Sequence, residues 1–307
     1  MLIRSLLKTL FMYAIVMGLL ILIVLFPRNS EMILVDGVMT YQYKFTWQNY
    51  FENIRLYFTN LVETKSLGET QSWQTVEEVI ISFMPASLKV VFAAFFISLF
   101  FGVYKGIVDF QHSNRKTNFL GNGTTFLFQA IPDFFLIILM ILFIINYLPF
   151  IPIFSQGQWY SFIIPAIIVA IYPSMYIARI TSAAMTNEDG MQYIQVAKAK
   201  GLTDKMVIYK HVLRNCYGLI LSHCSSVMLL ILSNLLMVEF LMGYRGAAFR
   251  LFQALDYSNV MSVGQRSKFE AELIIGISFC FLVIVLFSRF VSEWASNYLD
   301  PRRKEQL

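Results

Sequence analysis

Six stretches of this sequence stay apolar for long enough to cross a bilayer, and that decides most of what the chain can fold into. They cover residues 9–26, 86–108, 125–148, 161–180, 217–241 and 273–291. A hydrocarbon core of roughly 30 Å takes about 20 helical residues. Within it every backbone N–H and C=O must find an internal partner, which a helix provides. The fold class is therefore an all-α membrane protein with six transmembrane helices. Composition agrees: 57% of residues are apolar and 14% charged, against about 25% charged in soluble domains. The formal charge of +5 has to be read by position and is no nucleic-acid signal.

Loop charges orient the spans. Arg4 and Lys8 precede the first run, which has no A-x-A cleavage pattern after it and reads as a retained span. Residues 27–83 hold seven acidic and four basic residues, which suits the outside, and their aromatic content argues for short helices on the membrane face. The loop after the second span carries His112, Arg115 and Lys116, and residues 179–216 carry six basic residues against three acidic. The tail ends in Arg302, Arg303 and Lys304. The positive-inside rule puts these three segments, and both termini, in the cytoplasm. The expected organisation is a first span (1–26), an extracytoplasmic segment (27–83), a five-helix core (84–296) with a cytoplasmic loop at 181–216, and a short tail (297–307).

That loop is a polar, basic island between two apolar runs: MQYIQVAKAKGLTDKMVIYKHVLRN, residues 191–215. It reads as two short helices around a break. Met191, Ile194 and Ala197 share a face of the first, with Lys198 and Lys200 off it. Gly201 stops that helix, because glycine takes the left-handed conformation at little cost. Thr203 is placed to cap the second helix, where Met206, Tyr209 and Leu213 line one side. An amphipathic pair between two spans either lies on lipid or fits a groove in a soluble partner.

Few other residues offer chemistry. Cys216, Cys224 and Cys280 fit no disulfide or zinc spacing, and His223 beside Cys224 lacks further ligands, so packing between helices is the reading. Asp133 lies about 13 Å into the third span at 1.5 Å per residue. A carboxylate there faces a cavity or a partner, or caps a helix kinked at Pro132. Lys89 and Lys105 lie near opposite ends of the second span, where long side chains reach for the interface. No GxxxxGK[ST] phosphate loop occurs.

The island resembles the cytoplasmic loop of type I ABC importer permeases. Aligned on Gly201, their generic EAA signature is met at Ala197, Gly201 and Leu213 and not at Gln195, Val196, His211 or Arg214. The variant of the peptide/nickel subfamily fits better: Tyr193, Ala197, Ala199, Lys200, Gly201 and Leu202 match its first half, and His211, Leu213, Arg214 and Asn215 its second. Leu67-Gly68, Thr75-Val76, Pro85-Ala86-Ser87-Leu88, Ile131-Pro132, Val238-Glu239, Gly243-Tyr244, Gly246, Asp256-Tyr257 and Leu299-Asp300-Pro301-Arg302 resemble further family motifs in order. The family's LxPGDP motif after the first span is replaced by Leu25-Phe26-Pro27-Arg28-Asn29.

The resemblance implies a permease subunit of an ATP-driven importer for oligopeptides or dipeptides, in a bacterial plasma membrane. The same subfamily also serves nickel and metal chelates. It implies two ABC ATPase subunits, a second homologous permease as heterodimer partner and an extracytoplasmic substrate-binding protein. No cofactor is bound directly and no catalysis occurs in this chain; ATP and magnesium belong to the ATPases. Coupling to the ATPase would fall on Ala197, Lys198, Ala199, Lys200, Gly201, Leu202, Lys205 and Leu213. The three lysines would pair with acidic partner residues, or equally satisfy the positive-inside bias. The resemblance sets Glu239 near the outer end of the pathway, where a hydrogen bond to the following loop is an equal account. Asp133 is the other pathway candidate. An ion-coupled secondary transporter is a different class, but it favours paired intramembrane charges and inverted repeats. A membrane enzyme would need converging catalytic groups that the sequence lacks.

Overall fold

The computed structural model describes residues 2–27, 30–35, 38–43, 45–71, 73–112, 119–152, 157–255 and 269–299. Arg28, Asn29, Arg115, Lys116, Asp256-Tyr257 and the tail from Asp300 lie outside the described residues. In chain order the helices are α1 (Leu2–Val24), α2 (Trp47–Thr64), α3 (Val76–His112), α4 (Thr124–Ala130), α5 (Asp133–Tyr147), α6 (Ile163–Glu188), α7 (Gln192–Ala199), α8 (Asp204–Met206), α9 (Leu213–Ser222), α10 (Cys224–Met242), α11 (Ala247–Ala254) and α12 (Ala271–Leu299). Between α1 and α2 lies an antiparallel hairpin, β1 (Ser30–Val35) and β2 (Val38–Tyr43), with Val35 opposite Val38. The segment between the first two spans thus holds two antiparallel strands followed by one long helix, where short helices were expected for some of it.

Among the described residues, five helices, α1, α3, α6, α10 and α12, are long and apolar enough to cross a membrane; the bent pair α4–α5 makes a sixth span if counted as one. The third run is not a kinked rod. Its halves meet at 103° across Ile131-Pro132. Ile131 is extended, with ψ at 130°, as a residue before proline prefers, so the chain leaves the helix and Asp133 opens a new one. At 1.5 Å per residue α3 is about 55 Å long, beginning at Val76 instead of Ala86. The fifth run is divided at His223, where α9 hands over to α10.

The chain forms two compact units, residues 1–84 with 250–282 and residues 85–249 with 283–307. In the first, the Glu77 carboxylate accepts the Leu67 N–H (2.6 Å) and the Ser66 hydroxyl (3.0 Å), which fixes the 65–76 loop on the start of α3. Gly68 has φ +123°, and a Cβ there would lie 2.7 Å from Glu272 Cγ. Arg250 pairs with Glu270 at 2.6 Å, and Glu270 also accepts the Gln71 N–H.

The core of the second unit is built from α3, α5, α6 and α10. Val90, Val91, Ala94, Ile137, Val169, Ile177, Ile231 and Leu235 are all essentially inaccessible. Gly102 and Gly106, one turn apart, let α3 approach α6. A Cβ at Gly102 would sit 2.7 Å from Ile177 Cβ, and one at Gly106 would sit 2.6 Å from the Ala178 carbonyl oxygen. Small residues spaced by four are how membrane helices gain dispersion contact when lipid is as apolar as leucine. On α12, Ser292 and Ser296 donate to the Leu221 and Gly218 carbonyls of α9 at 2.5 and 2.8 Å.

Candidate functional site

The island folds as a braced cap projecting between α6 and α9. α7 is anchored from below by Ile194 and Ala197, only 2% and 4% exposed. It ends in a Schellman closure. The Gly201 N–H donates to the Lys198 carbonyl (2.9 Å) and the Leu202 N–H to the Ala197 carbonyl (3.4 Å), with Gly201 at φ +76°. This geometry needs a left-handed residue at Gly201. A Cβ at Gly201 would meet nothing within 4 Å, so within this chain only the backbone conformation constrains the position.

Thr203 then caps α8, its Oγ1 accepting the Met206 N–H at 3.5 Å. Residues Val207–Val212 follow in a π turn. One extra residue per turn slips the register of the apolar positions. The shared face of Met206, Tyr209 and Leu213 is therefore not formed: Met206 and Tyr209 are 47% and 51% exposed, while Leu213 is buried with Val207 and Val212. The coupling set divides the same way. Lys198, Ala199, Lys200, Gly201 and Lys205 stand exposed and Leu202 is half-buried. Ala197 and Leu213 face inward and support the cap from beneath; Ala197 does not present its small side chain to a partner.

A polar brace stiffens the cap. The Tyr193 hydroxyl of α7 donates to Glu188 Oε2 at the end of α6 and takes a further hydrogen bond from Asn215 of α9. Burial, followed by the bond to Glu188, pushes the Tyr193 phenol up to about 12. The Tyr193 phenol of the brace therefore stays a neutral donor throughout the physiological range.

At the other end of α10 a second polar cluster is fully enclosed. Glu239 is 0% exposed. Its Oε1 accepts the Ser87 hydroxyl (2.5 Å) and its Oε2 the Phe249 N–H (3.0 Å); the Ala248 N–H adds a further bond. Ser87 Oγ in turn accepts the Ala247 N–H at 2.7 Å. The carboxylate and hydroxyl together cap the N-terminus of α11, where free N–H groups and the helix dipole favour negative charge. Gly246 is the residue that lets them in: a Cβ there would lie 2.3 to 2.4 Å from both carboxylate oxygens and from Ser87 Oγ. In this conformation Glu239 closes a loop onto α3 and does not face an open pathway. Asp133 is half-buried at the first turn of α5, its Oδ1 accepting the Phe134 N–H at 2.9 Å. It is a helix-start residue beside a break, not a deep charge in a continuous rod.

A third cluster was not anticipated. Asp109 is 0% exposed. It pairs with Lys105 one turn earlier and accepts the Thr125 hydroxyl at 2.5 Å, while Lys105 also donates to the Gly121 carbonyl at 3.0 Å. Lys105 therefore turns inward and does not snorkel. The signal was available, since Lys105 and Asp109 are opposite charges at i, i+4 in an apolar run. Among the described residues no three His, Cys, Asp or Glu side chains converge on a point. His223 Nδ1 instead lies 2.9 Å from the Tyr176 hydroxyl.

Residues 94–305 match the family described as the binding-protein-dependent transport system inner membrane component. The chain belongs to this family. Among curated relatives, the dipeptide transport system permease protein DppB of Bacillus subtilis is 26% identical over 75% of this chain and 71% of its own. The oligopeptide transport system permease protein OppB of Escherichia coli K12 is 28% identical over 62% of this chain and 63% of its own, so the match spans less than two-thirds of that relative. The fold agrees with solved ABC transporters. An inward-facing MetNI methionine ABC transporter superposes with a TM-score of 0.60, at 14% identity, over 73% of this chain and 97% of the other. An amino acid ABC transporter gives 0.53 at 18% identity, over 72% and 94%. The protein is thus a multi-pass permease subunit of an ABC importer. In this permease the island, both enclosed carboxylates and the α3–α6 glycine contact lie within residues 85–249.

Proposed function

We propose that this permease carries oligopeptides or dipeptides across a bacterial plasma membrane, driven by ATPase subunits that seat the exposed cap of Lys198, Ala199, Lys200, Gly201 and Lys205 in a groove. The braced cap is the observation that carries this reading. A coupling element must transmit displacement without deforming. Here one tyrosine ties α7 to both α6 and α9, and a closed Schellman turn fixes the tip. The exposed lysines supply positive charge for an acidic partner surface. The full assembly in this reading has two ATPases, which hold ATP and magnesium, a second homologous permease and an extracytoplasmic binding protein. This chain itself is not an enzyme and binds no cofactor directly. Peptides as cargo are supported by the names of the DppB and OppB relatives. Asp133, beside the α4–α5 break, remains the pathway residue of this reading, as a counter-charge for a peptide's amino terminus. Glu239 acts on the pathway only through the loop it holds.

Gentle detergent purification from the native membrane, with mass spectrometry of co-purifying proteins, tests the assembly. Two ATPases, a second permease and a binding protein are expected. The purified binding protein is then titrated with dipeptides, longer peptides and nickel. Recovery of the chain without any ATPase would overturn the coupling role, and a binding protein that takes nickel and no peptide would overturn the cargo.

A further inference from the structure

Helix α2 has three distinct sides. One is docked: the Tyr50 hydroxyl donates to the Leu22 carbonyl at 2.8 Å, the Asn53 amide donates to the Leu25 carbonyl at 3.4 Å, and Tyr57 is buried. A second is polar and exposed, with Gln48, Glu52, Thr59 and Glu63. Between them runs a stripe of Trp47, Phe51, Phe58 and Val62, exposed by 65%, 63%, 46% and 72%. At 3.6 residues per turn these four fall within roughly one-sixth of the helix circumference. Scattered exposed apolar residues need no explanation, but four large ones on one narrow face beside a charged face do.

We propose that this stripe is seated in the boundary between lipid headgroups and acyl chains, making α2 an interfacial helix that holds the outer segment on the membrane surface. Two features of the structure commit the occupant to lipid. Depth is the first. The bonds to Leu22 and Leu25 place the start of α2 level with the end of the α1 span, where hydrocarbon gives way to headgroups and where Trp and Tyr concentrate. Continuity is the second. Leu19, Ile23 and Phe26 of the α1 segment are 55%, 67% and 44% exposed, as a lipid-facing surface is. From Phe26 the apolar surface passes without a gap through ring contacts to Phe45 (5.2 Å), Trp47 (5.1 Å) and Phe51 (6.3 Å). A helix with an apolar stripe, a charged face and low overall hydrophobicity lies in the interface plane.

The test is spin-label accessibility on the full chain in phosphatidylcholine vesicles. Nitroxides are placed singly at Phe51, Phe58 and Val62 on the stripe, at Glu52 and Glu63 on the polar side, and at Leu19 as a control for insertion. Labelling of the parent chain corrects for its three cysteines. Oxygen, which partitions into lipid, should relax the stripe labels several-fold more than a water-soluble nickel chelate does, and the order should reverse at Glu52 and Glu63. Stripe labels reached freely by the chelate would show a solvent-exposed helix and overturn the proposal. Stripe labels shielded from both reagents, with Leu19 still open to oxygen, would show a protein surface covering α2 and overturn it equally.

Discussion

Replacing Gly201 separates two reasons for a glycine at the tip of the cap. Its φ is +76° and no atom lies within 4 Å of where a Cβ would stand. Within the chain, alanine therefore meets no clash and costs only the left-handed conformation, about 1–2 kcal/mol. That shifts the equilibrium between the closed turn and its opened forms by roughly 5- to 30-fold. Asparagine, larger but tolerant of this conformation, costs less. If the turn geometry is what matters, Gly201→Asn should retain more ATP-driven uptake than Gly201→Ala. Hydrogen exchange at the Gly201 and Leu202 amides should follow the same order. The comparison is made in proteoliposomes holding the assembled transporter, with labelled peptide uptake per ATPase turnover as the readout. The opposite order, alanine tolerated and asparagine inactive, would refute the conformational argument and place the constraint in close approach by a partner. Gly201→Asp, which adds charge as well, should leave the chain in the membrane but uncouple it.

Three further outcomes follow from the same geometry. Glu239→Gln places an amide where only acceptors fit among Ser87, Ala248 and Phe249. It should lower stability by about 1–3 kcal/mol in detergent unfolding, and Gly246→Ala, which drives a Cβ into the same carboxylate, should be at least as damaging. Gly106→Val should push α3 off α6 and lower thermal stability, while Gly18→Val, with nothing within 4 Å of its Cβ position, should change little. The Tyr193 phenol is raised in the fold, so the stability it contributes is fully present below its unfolded value of about 10 and is lost as pH rises through about 12. NMR of ζ-carbon-labelled tyrosine should show a late-titrating phenol that is absent in Tyr193→Phe; a Tyr193 signal at the ordinary position would contradict the brace.

The spans and the helix–break–helix form of the island were legible because length, apolarity and a glycine followed by a capping threonine are local signals. Gly201 and Thr203 do in the structure what their chemistry predicts. What failed needed tertiary information or a finer reading. The π turn at Val207–Val212 slipped the register that a 3.6-residue period assigns to Tyr209 and Leu213. Pro132 was read as a kink, although Ile131 before it is the residue that leaves the helix. The antiparallel strands Ser30–Val35 and Val38–Tyr43 differ from the expectation of short helices, because strand pairing is set by contacts between segments and not by aromatic content. Asp109 drew no reading from the sequence, and for Glu239 a pathway role and a hydrogen bond to the following loop stood as equal accounts. The donors that hold both carboxylates come from Thr125, Ser87 and the start of α11, distant in sequence.

The claim that the cap is where the ATPase seats is tested most directly by cysteine cross-linking in the assembled transporter. Single cysteines are placed at Val196, Lys200 and Lys205, all exposed, and at Ile194, 2% exposed beneath them. The account predicts short-span cross-links to the ATPase from the exposed positions, changing in yield when ATP is added, and none from Ile194. ATPases that co-purify yet cross-link to none of the three exposed positions would contradict it.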